Sequence, residues 1–259
     1  MMESSKFSIV IPAYNQVYLI NRVIDSILHQ QEAEFEIIIS DDSTTREIEL
    51  YVKTLNDRRI KYFRHQQGCT APDNWNNGLT KASGEYVIIQ HHDEAMKDKK
   101  CLTRIQQAFD LGADLVISNI EVIVNGKKKN SHFNTWMKKL FISHPTLLFL
   151  FNAIGPCACI ATKHTLIEPF NNKLNWFVDV EWYYRLISSN KRVIYLDENY
   201  MISIHGHDGQ ITSTMNVADT VKSDRAVLKQ TYSHKRGIIL MTFLYQHIIV
   251  GTKHILGLI

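Results

Sequence analysis

The chain has 259 residues, of which 45% are hydrophobic and 21% are charged, and its formal net charge at pH 7 is +3. This composition is that of an ordinary globular protein and excludes a disordered one. The small charge, with no run of Lys and Arg between aromatic residues, argues against a nucleic-acid partner. The four cysteines form no paired CxxC motif and the first residues are polar, so we expect reduced thiols in a cytosolic protein without a secretory signal.

Short apolar, β-branched runs recur through the first half of the chain and predict strands, with helix-spaced apolar residues between them. The runs are Phe7–Ile11, Phe35–Ile39, Ile60–Phe63, Tyr86–Ile89 and Asp114–Ile120. Regular alternation of strand and helix predicts an α/β fold with a mostly parallel central sheet flanked by helices.

The run Tyr86–Ile89 has no polar alternation, which is typical of a strand covered on both faces. It leads into two imidazoles and two carboxylates, those of His91, His92, Asp93 and Glu94. Ligands of open α/β sheets bind beyond the carboxyl ends of the strands, so this cluster predicts a functional site.

The second half of the chain is less regular. The segment Asn175–Leu186 predicts a helix that begins near Asp179, and Val193–Leu196 predicts a late strand. After Thr220 the chain is first basic and then apolar from Gly237 to Ile259, with too many polar interruptions for a membrane span. Two interpretations stay open for this tail: a helix lying in a membrane interface with its cations toward anionic lipid, and a helix packed on the domain.

Four segments together resemble the family 2 glycosyltransferases, nearly continuously from Phe7 to about Thr212. They are the opening strand and turn at Phe7–Asn15, the second strand with paired aspartates at Glu36–Thr44, the helix and strand leading to a metal motif at Asn76–Tyr86, and the acidic segment at Val178–Arg185. The resemblance implies an inverting enzyme of the GT-A fold. It also implies a glycosyltransferase domain at 1–220, with a nucleotide-sugar-binding half at residues 1–120 and an acceptor and catalytic half at 121–220. The resemblance stops short of the basic and apolar helical tail at 221–259.

The chain departs from the family pattern at its motifs. The Asp-x-Asp motif appears as His91-His92-Asp93 and the Glu-Asp pair as Val178-Asp179, so each keeps only its second acid. Ser43 stands where glycine is usual. Ile204 or His205 occupies the place of an arginine that often precedes the histidine corresponding to His207.

The resemblance implies a divalent metal, Mn²⁺ or Mg²⁺, that neutralises the diphosphate leaving group. Asp93 is its expected ligand, with His207 as the second ligand and His205 as the alternative. Two solvated imidazoles in a turn are the plain alternative for the late histidines, and the resemblance favours the metal ligands.

For the nucleotide, we expect Asp41 to accept the uracil imide N–H and His91 to contact the ribose. His92 is also expected to contact the nucleotide sugar, with a structural role as an equal alternative. Asn76 contacts phosphate or ribose, or only stabilises its own helix. The base pocket is expected to be lined by Pro12, Ala13, Tyr14 and Asn15, with Tyr14 as the stacking face. For Asp41, a helix cap is the plain alternative.

Asp179 is the expected general base, because an inverting transfer needs one carboxylate to take the proton of the acceptor hydroxyl. Its apolar surroundings should raise its pKa, and a helix N-cap is the compatible structural alternative. Further contacts to sugar or acceptor are expected from Glu94, Trp176, Glu181, Trp182 and His205, although loop support or core packing explains several of them as well.

The sequence thus predicts a glycosyltransferase that moves a sugar, with inversion, from a UDP-sugar or another nucleotide sugar to a lipid-linked glycan in bacterial polysaccharide synthesis. It would be cytoplasmic and peripheral on the inner face of the membrane. A non-catalytic sugar-nucleotide or glycan binder derived from such an enzyme is the alternative. A nucleotidyltransferase is disfavoured, because Pro12-Ala13-Tyr14-Asn15 lacks a glycine-rich loop with Lys or Arg.

Overall fold

A computed structural model describes residues 6–124, 127–129, 133–189, 191–205 and 215–251. Within them the strands are β1 (Phe7–Ala13), β2 (Phe35–Asp41), β3 (Ile60–Arg64), β4 (Tyr86–Ile89), β5 (Glu94–Met96), β6 (Leu115–Val124), β7 (Lys127–Lys129), β8 (Ile160–Lys163) and β9 (Val193–His205). The α-helices are α1 (Val17–Leu28), α2 (Glu47–Leu55), α3 (Ala71–Leu79), α4 (Cys101–Asp110), α5 (Thr135–Ser143), α6 (Val178–Ser188), α7 (Val217–Thr231) and α8 (Arg236–Leu244). A π-helical turn, Tyr245–Val250, continues α8.

One sheet contains all of these strands in the order β3-β2-β1-β4-β8-β6-β9-β5, and β7 pairs with β6. The part β3-β2-β1-β4 is parallel, as predicted. Beyond β4 the sheet is mixed, because β8 lies antiparallel between β4 and β6 while β9 runs parallel to β6. The α/β class with flanking helices is confirmed, and the parallel arrangement applies to the first half of the sheet.

The predicted buried strands form the centre of the core. Every residue of β1, β2 and β4 is buried, as expected for strands covered on both faces. Gly84, two residues before β4, is needed for close packing against β1. A Cβ there would lie 2.7 Å from the backbone nitrogen of Ser8, so glycine allows the chain to pass directly against β1.

The late strand is longer than predicted. β9 continues from Val193 to His205, whereas the sequence indicated Val193–Leu196. Polar residues follow Leu196, and the pairing of β6 with β9 shifts register around Asn119 and then resumes. A bulge of this kind lets a strand pass through a polar interruption.

The described part of the tail, to residue 251, packs on the domain, as one of the two interpretations predicted. Ile238, Thr242 and Val250 are buried, while Leu240 and Phe243 on α8 are exposed. No helix among the described residues combines the length and apolarity needed to cross a membrane.

Candidate active site

The carboxyl ends of β1, β2 and β4 lie side by side, since β1 pairs with both β2 and β4. Their continuations bring together the segment after β1, the Asp41-Asp42 pair and the turn at His91. Asp179 of α6 lies within electrostatic range of this turn, since the charges of His91 and Asp179 shift each other's pKa. The site predicted at the end of β4 therefore extends over several elements.

Asp41 is fully buried and already surrounded by donors. Its Oδ1 accepts from the backbone N–H and the hydroxyl of Ser43. Its Oδ2 accepts from the hydroxyl of Tyr62 at 2.6 Å and from Arg64 at 3.1 Å. It does not cap α2, whose N-cap is Arg46. A uracil N–H at Asp41 stays a prediction, and it would have to displace or share one of these donors.

Asp42, which the sequence analysis did not assign, retains more acceptor capacity. It is 8% exposed, and it accepts from Asn74 Nδ2 at 2.9 Å and from the Cys69 thiol at 3.4 Å. Burial raises its pKa, and the thiol hydrogen bond acts against that rise. A carboxylate has about four lone-pair positions, so Asp42 can accept a further N–H where Asp41 is saturated. In the sequence only the adjacent pair Asp41-Asp42 indicated an acceptor for the base N–H. The pair did not indicate which aspartate has unused acceptor capacity.

The segment after β1 contains an exposed aromatic ring, that of Tyr14, and a residue with a structural role, Asn15. Tyr14 is 49% exposed and can offer its face to a base, whereas Pro12 and Ala13 are buried. Asn15 has a left-handed backbone with φ 55°. Its N–H donates to Ser43 Oγ at 2.7 Å and its Oδ1 accepts from the N–H of Thr44 at 2.9 Å. Asn15 thus ties the two strand ends together.

Both polar atoms of the Asn76 side chain are already hydrogen-bonded within the protein. Its Nδ2 donates to the carbonyl of Phe170 at 3.0 Å and its Oδ1 accepts from the N–H of Phe170 at 2.7 Å. Both ends of the amide therefore fasten α3 to the loop before α6. This is a structural role, although across the fold rather than within its own helix, and the predicted phosphate or ribose contact stays a prediction.

His91 lies at the centre of the acidic cluster. Its Nδ1 is 3.6 Å from Glu94 Oε1, and its backbone N–H donates to Glu94 Oε2 at 2.9 Å. Burial alone would lower the pKa of His91, but the charges of Glu94, Asp179 and Asp93 raise it to about 9. The ring packs 4.7 Å from that of Trp75, and its buried Nε2 has no hydrogen-bond partner within the described structure. That nitrogen is available to a ligand.

Asp179 is the second residue of α6 and not its N-cap, which is Phe177. The thiol of Cys157, 3.5 Å from its Oδ1, is the one side-chain donor recorded for it in the described structure. Burial raises the pKa of Asp179, while the positive charge of His91 and the thiol act in the opposite direction. The expected rise in pKa is confirmed, and the structure adds a neighbouring imidazole to the aromatic surroundings.

A carboxylate from the tail holds the turn before Asp179. Asp224 of α7 is fully buried. It accepts from the backbone N–H groups of Asn175 at 3.1 Å, Trp176 at 2.7 Å and Phe177 at 2.9 Å. These are the free donors that precede a helix, and a side chain from another helix satisfies them. The sequence analysis missed Asp224 because its partners are backbone groups 47 to 49 positions away.

Most of the side chains expected to meet sugar or acceptor have structural partners. Glu181 is buried and accepts from Tyr232 at 2.6 Å and from Arg185 at 2.9 Å. Trp182 is 1% exposed and stacks on Phe170, the core-packing alternative. The indole N–H of Trp176 donates to the hydroxyl of Tyr245 at 3.0 Å, and Glu94 supports the turn at His91. Sugar contacts from these residues stay predictions.

The metal prediction rests on fewer residues than the family motif has. His92 and Asp93 are partly buried in the turn between β4 and β5, and the charge of Asp93 reaches Arg22 of α1. Among the described residues no three His, Cys, Asp or Glu side chains are grouped so that they could hold a metal ion. His207 lies outside the described residues, and His205 is described only as the last backbone position of β9.

A model of glycosyl transferase family 2 matches residues 8–168, more than half of the chain. The chain therefore belongs to glycosyl transferase family 2, as its motifs predicted. The matched residues include the ends of β1, β2 and β4 and the turn at His91.

Two curated relatives illustrate the similarity. The GalNAc(5)-diNAcBac-PP-undecaprenol beta-1,3-glucosyltransferase of Campylobacter jejuni is 37% identical over 106 residues, 40% of this chain and 34% of that protein. The UDP-Glc:alpha-D-GlcNAc-diphosphoundecaprenol beta-1,3-glucosyltransferase WfgD of Escherichia coli is 27% identical over 187 residues, 72% of this chain and 70% of that protein. The match thus spans about a third of the first relative.

The solved structure of S. aureus TarS 1-349 in complex with UDP-GlcNAc has a TM-score of 0.71 and 20% identity, covering 93% of this chain and 72% of that one. TarS 1-349 in complex with UDP gives a TM-score of 0.66 and 17% identity. At such identities the likeness concerns the fold alone, and it confirms the predicted GT-A fold.

Proposed function

We propose that this protein transfers a sugar with inversion from a nucleotide diphosphate sugar, with UDP as the expected nucleotide, to a hydroxyl of a lipid-linked glycan in bacterial surface polysaccharide synthesis. The observation that carries the proposal is the meeting of Asp179 with His91 at the carboxyl ends of the strands. A carboxylate with a raised pKa and one thiol donor lies there beside the nucleotide-binding segments. Such a group is suited to accepting a proton.

In the proposed step, the carboxylate of Asp179 takes the proton of the acceptor hydroxyl. The acceptor oxygen forms a bond to C1 of the sugar while the bond from C1 to the phosphate oxygen breaks, and that electron pair leaves with the nucleoside diphosphate. Attack from the face opposite the leaving group inverts the configuration at C1. We assign the contact with the donor's ribose to His91, whose Nε2 has no hydrogen-bond partner among the described residues.

For the nucleotide we assign the stacking face to Tyr14 and the base N–H to the aspartate pair, with Asp42 favoured over Asp41 because of its spare acceptor capacity. A divalent cation stays part of the proposal, with Asp93 as its ligand and His207 as the second. The described residues do not complete a metal site by themselves, so none of the steps above is assigned to the cation.

The acceptor class is supported by the two glucosyltransferase relatives, whose names carry undecaprenol-linked substrates. A lipid-linked acceptor is held in a membrane, so the proposal includes a cytoplasmic enzyme in peripheral contact with the inner face of the membrane. The basic and apolar residues 221–259 are the expected point of contact.

The test is release of free nucleotide from a panel of UDP-, GDP- and dTDP-sugars, with Mn²⁺, with Mg²⁺ and with EDTA. We expect slow hydrolysis of one donor by the wild type, loss of most of it with EDTA, and a decrease of about 10²-fold or more in Asp93→Ala. Asp110→Asn, which changes an exposed acid on α4, is the matched control and should behave as the wild type.

If no donor is hydrolysed, calorimetry with the same panel separates the remaining cases. Donor binding that needs no metal and supports no turnover, even with extracted lipid-linked acceptors, would favour the non-catalytic sugar-nucleotide binder. Hydrolysis that is unaffected by EDTA and by Asp93→Ala would support the transferase activity and exclude the cation from the proposal.

A further inference from the structure

The C-terminal hairpin, formed by α7 and α8, exposes two stripes of different chemistry. On α8, Leu240 and Phe243 are 51% and 45% exposed. They lie three residues apart and so occupy one face of the helix. On α7, Lys222, Arg225 and Lys229 have the spacing i, i+3, i+7, which places them on one face as well. We call these the apolar stripe and the basic stripe.

The two stripes adjoin each other. The guanidinium carbon of Arg225 lies 5.4 Å from the ring centroid of Phe243, and Arg225 also donates to Gln246 in the turn after α8. A cation over an aromatic face is a favourable contact, so the junction is held in place. The stripes are therefore one continuous surface, apolar on one side and cationic on the other.

The charge of this hairpin is one-sided. Residues 217–250 contain five Lys and Arg against two Asp. Of the two acids, Asp224 is buried under its three backbone N–H donors, so the exposed acid is Asp219, which hydrogen-bonds the helix cap Asn216. The hairpin thus has five cations against one exposed acid, beside two large exposed apolar side chains.

We propose that these two stripes are the surface by which the protein docks on an anionic lipid bilayer, with Leu240 and Phe243 entering the headgroup region and the basic stripe contacting lipid phosphates. This deepens the proposed function by naming the contact that brings the enzyme to its acceptor, and it rests on that function for its purpose. Apolar side chains flanked by cations on a helix lying in the interface have the chemistry of such a contact. The long Lys and Arg stems reach the phosphates while the apolar side chains go deeper.

The hairpin is attached directly to the segment that carries the proposed base. Asp224 holds the turn before α6, the hydroxyl of Tyr232 donates to Glu181, and the ring of Tyr245 lies 5.3 Å from that of Phe177. Docking through the stripes thus fixes the position of α6 relative to the bilayer. The lipid-linked acceptor would meet Asp179 in one defined orientation.

The test is sedimentation of the full chain with vesicles made of equal amounts of phosphatidylglycerol and phosphatidylcholine, and with phosphatidylcholine vesicles alone. We expect binding to the anionic vesicles that weakens with added salt. Removing two cations in Lys222→Gln/Lys229→Gln should weaken it about 25-fold, since each Lys or Arg near such a surface contributes about fivefold. Lys99→Gln/Lys100→Gln, two exposed cations at the start of α4, should have no comparable effect.

The apolar stripe is tested by Leu240→Ala/Phe243→Ala, with Leu50→Ala as the control because Leu50 is 62% exposed on α2. We expect the stripe variant to lose vesicle binding and the control to keep it. All these positions are exposed, and thermal melting verifies that each variant is folded.

Three results would overturn the proposal. They are failure of the wild type to bind anionic vesicles, equal losses in the two lysine pairs, and a dimer in solution that Leu240→Ala/Phe243→Ala disrupts without changing vesicle binding. The last would identify the surface as an interface between two copies. Hydrolysis of the donor in solution does not use the stripes, so failure of docking and failure of the proposed transferase activity are measured separately.

Discussion

An acid lies at each end of the parallel strands, and the two acids differ in how many hydrogen bonds they accept. At the amino ends, Glu36 of β2 is 2% exposed and accepts hydrogen bonds from Ser8, Ser83 and Lys61 at 2.5 to 2.8 Å. At the carboxyl ends, Asp179 has one thiol donor recorded in the described structure. Glu36 is closed to water, Asp179 is partly exposed, and the two acids differ in the number of hydrogen-bond donors around them.

The pKa shifts follow that difference. Burial by itself would raise the pKa of Glu36, but the hydrogen bonds from Lys61, Ser8 and Ser83 bring it below the ordinary value of about 4.5. At Asp179 burial prevails over the charge of His91, and the pKa is raised. A buried acid rich in donors stabilises the fold as an anion, whereas one poor in donors is prepared to take up a proton.

The largest effect expected from this comparison is that of Asp179→Asn on turnover. An amide cannot accept the acceptor's proton, so we expect kcat for sugar transfer to fall about 10³-fold. The Tm should stay the same or rise, because the raised pKa means that folding disfavours the charged form at neutral pH. Steady-state kinetics with the donor found by the panel, together with thermal melting, test both. A large fall in Tm with kcat retained would make Asp179 a structural acid.

The opposite result is expected for Glu36→Gln. An amide can accept from only part of this donor set, and Lys61 would lose its carboxylate, so the free energy of unfolding at pH 7 should fall by about 2–3 kcal/mol. Activity per folded molecule should be unchanged. Because the folded pKa of Glu36 is lowered, its stabilisation is present above about pH 4.5 and is lost as the pH falls below that value.

Urea unfolding at several pH values tests the Glu36 prediction. The difference between the wild type and Glu36→Gln should shrink as the pH falls below about 4.5. Glu34→Gln is the control, since Glu34 is exposed just before the same strand. A constant difference across the pH range would show that the carboxylate charge does not contribute.

The sequence predicted those parts of the fold and site that depend on local pattern. Uninterrupted apolar runs identified β1, β2 and β4, and the polar residues after them identified the edge of the sheet where the site lies. The apolar neighbours of Asp179 predicted the direction of its pKa shift. These inferences needed only the chemistry of residues close together in the chain.

What could not be predicted depends on contacts between distant segments. The insertion of β8 beside β4 is decided by pairing across the whole sheet. The choice between Asp41 and Asp42 depends on Tyr62 and Arg64, which reach back from β3 to fill one of them. Asp224 did leave a trace, because it shares helical spacing with the buried Val221 and Leu228, and an acid on the inward face of a helix indicates a buried partner.

Asp224 gives the smallest expected effect, because it acts on Asp179 only through position. Asp224→Asn keeps one acceptor oxygen but presents an N–H₂ group to the three backbone donors, so the turn before α6 should loosen. We expect kcat to fall about tenfold while the KM for the donor stays the same, since the segments to which we assign nucleotide binding are untouched. Water admitted beside Asp179 should lower its pKa and move the acidic limb of the pH–rate profile toward lower pH.

Asp219→Asn, on the exposed face of the same helix, is the matched control and should leave the kinetics unchanged. A lowered Tm in Asp224→Asn with kcat and the pH profile of the folded enzyme unaltered would mean that the clamp only stabilises the fold. A shifted pH profile would mean that the tail, through three backbone hydrogen bonds, helps to limit the donors and water beside Asp179. The small number of donors is what distinguishes Asp179 from Glu36.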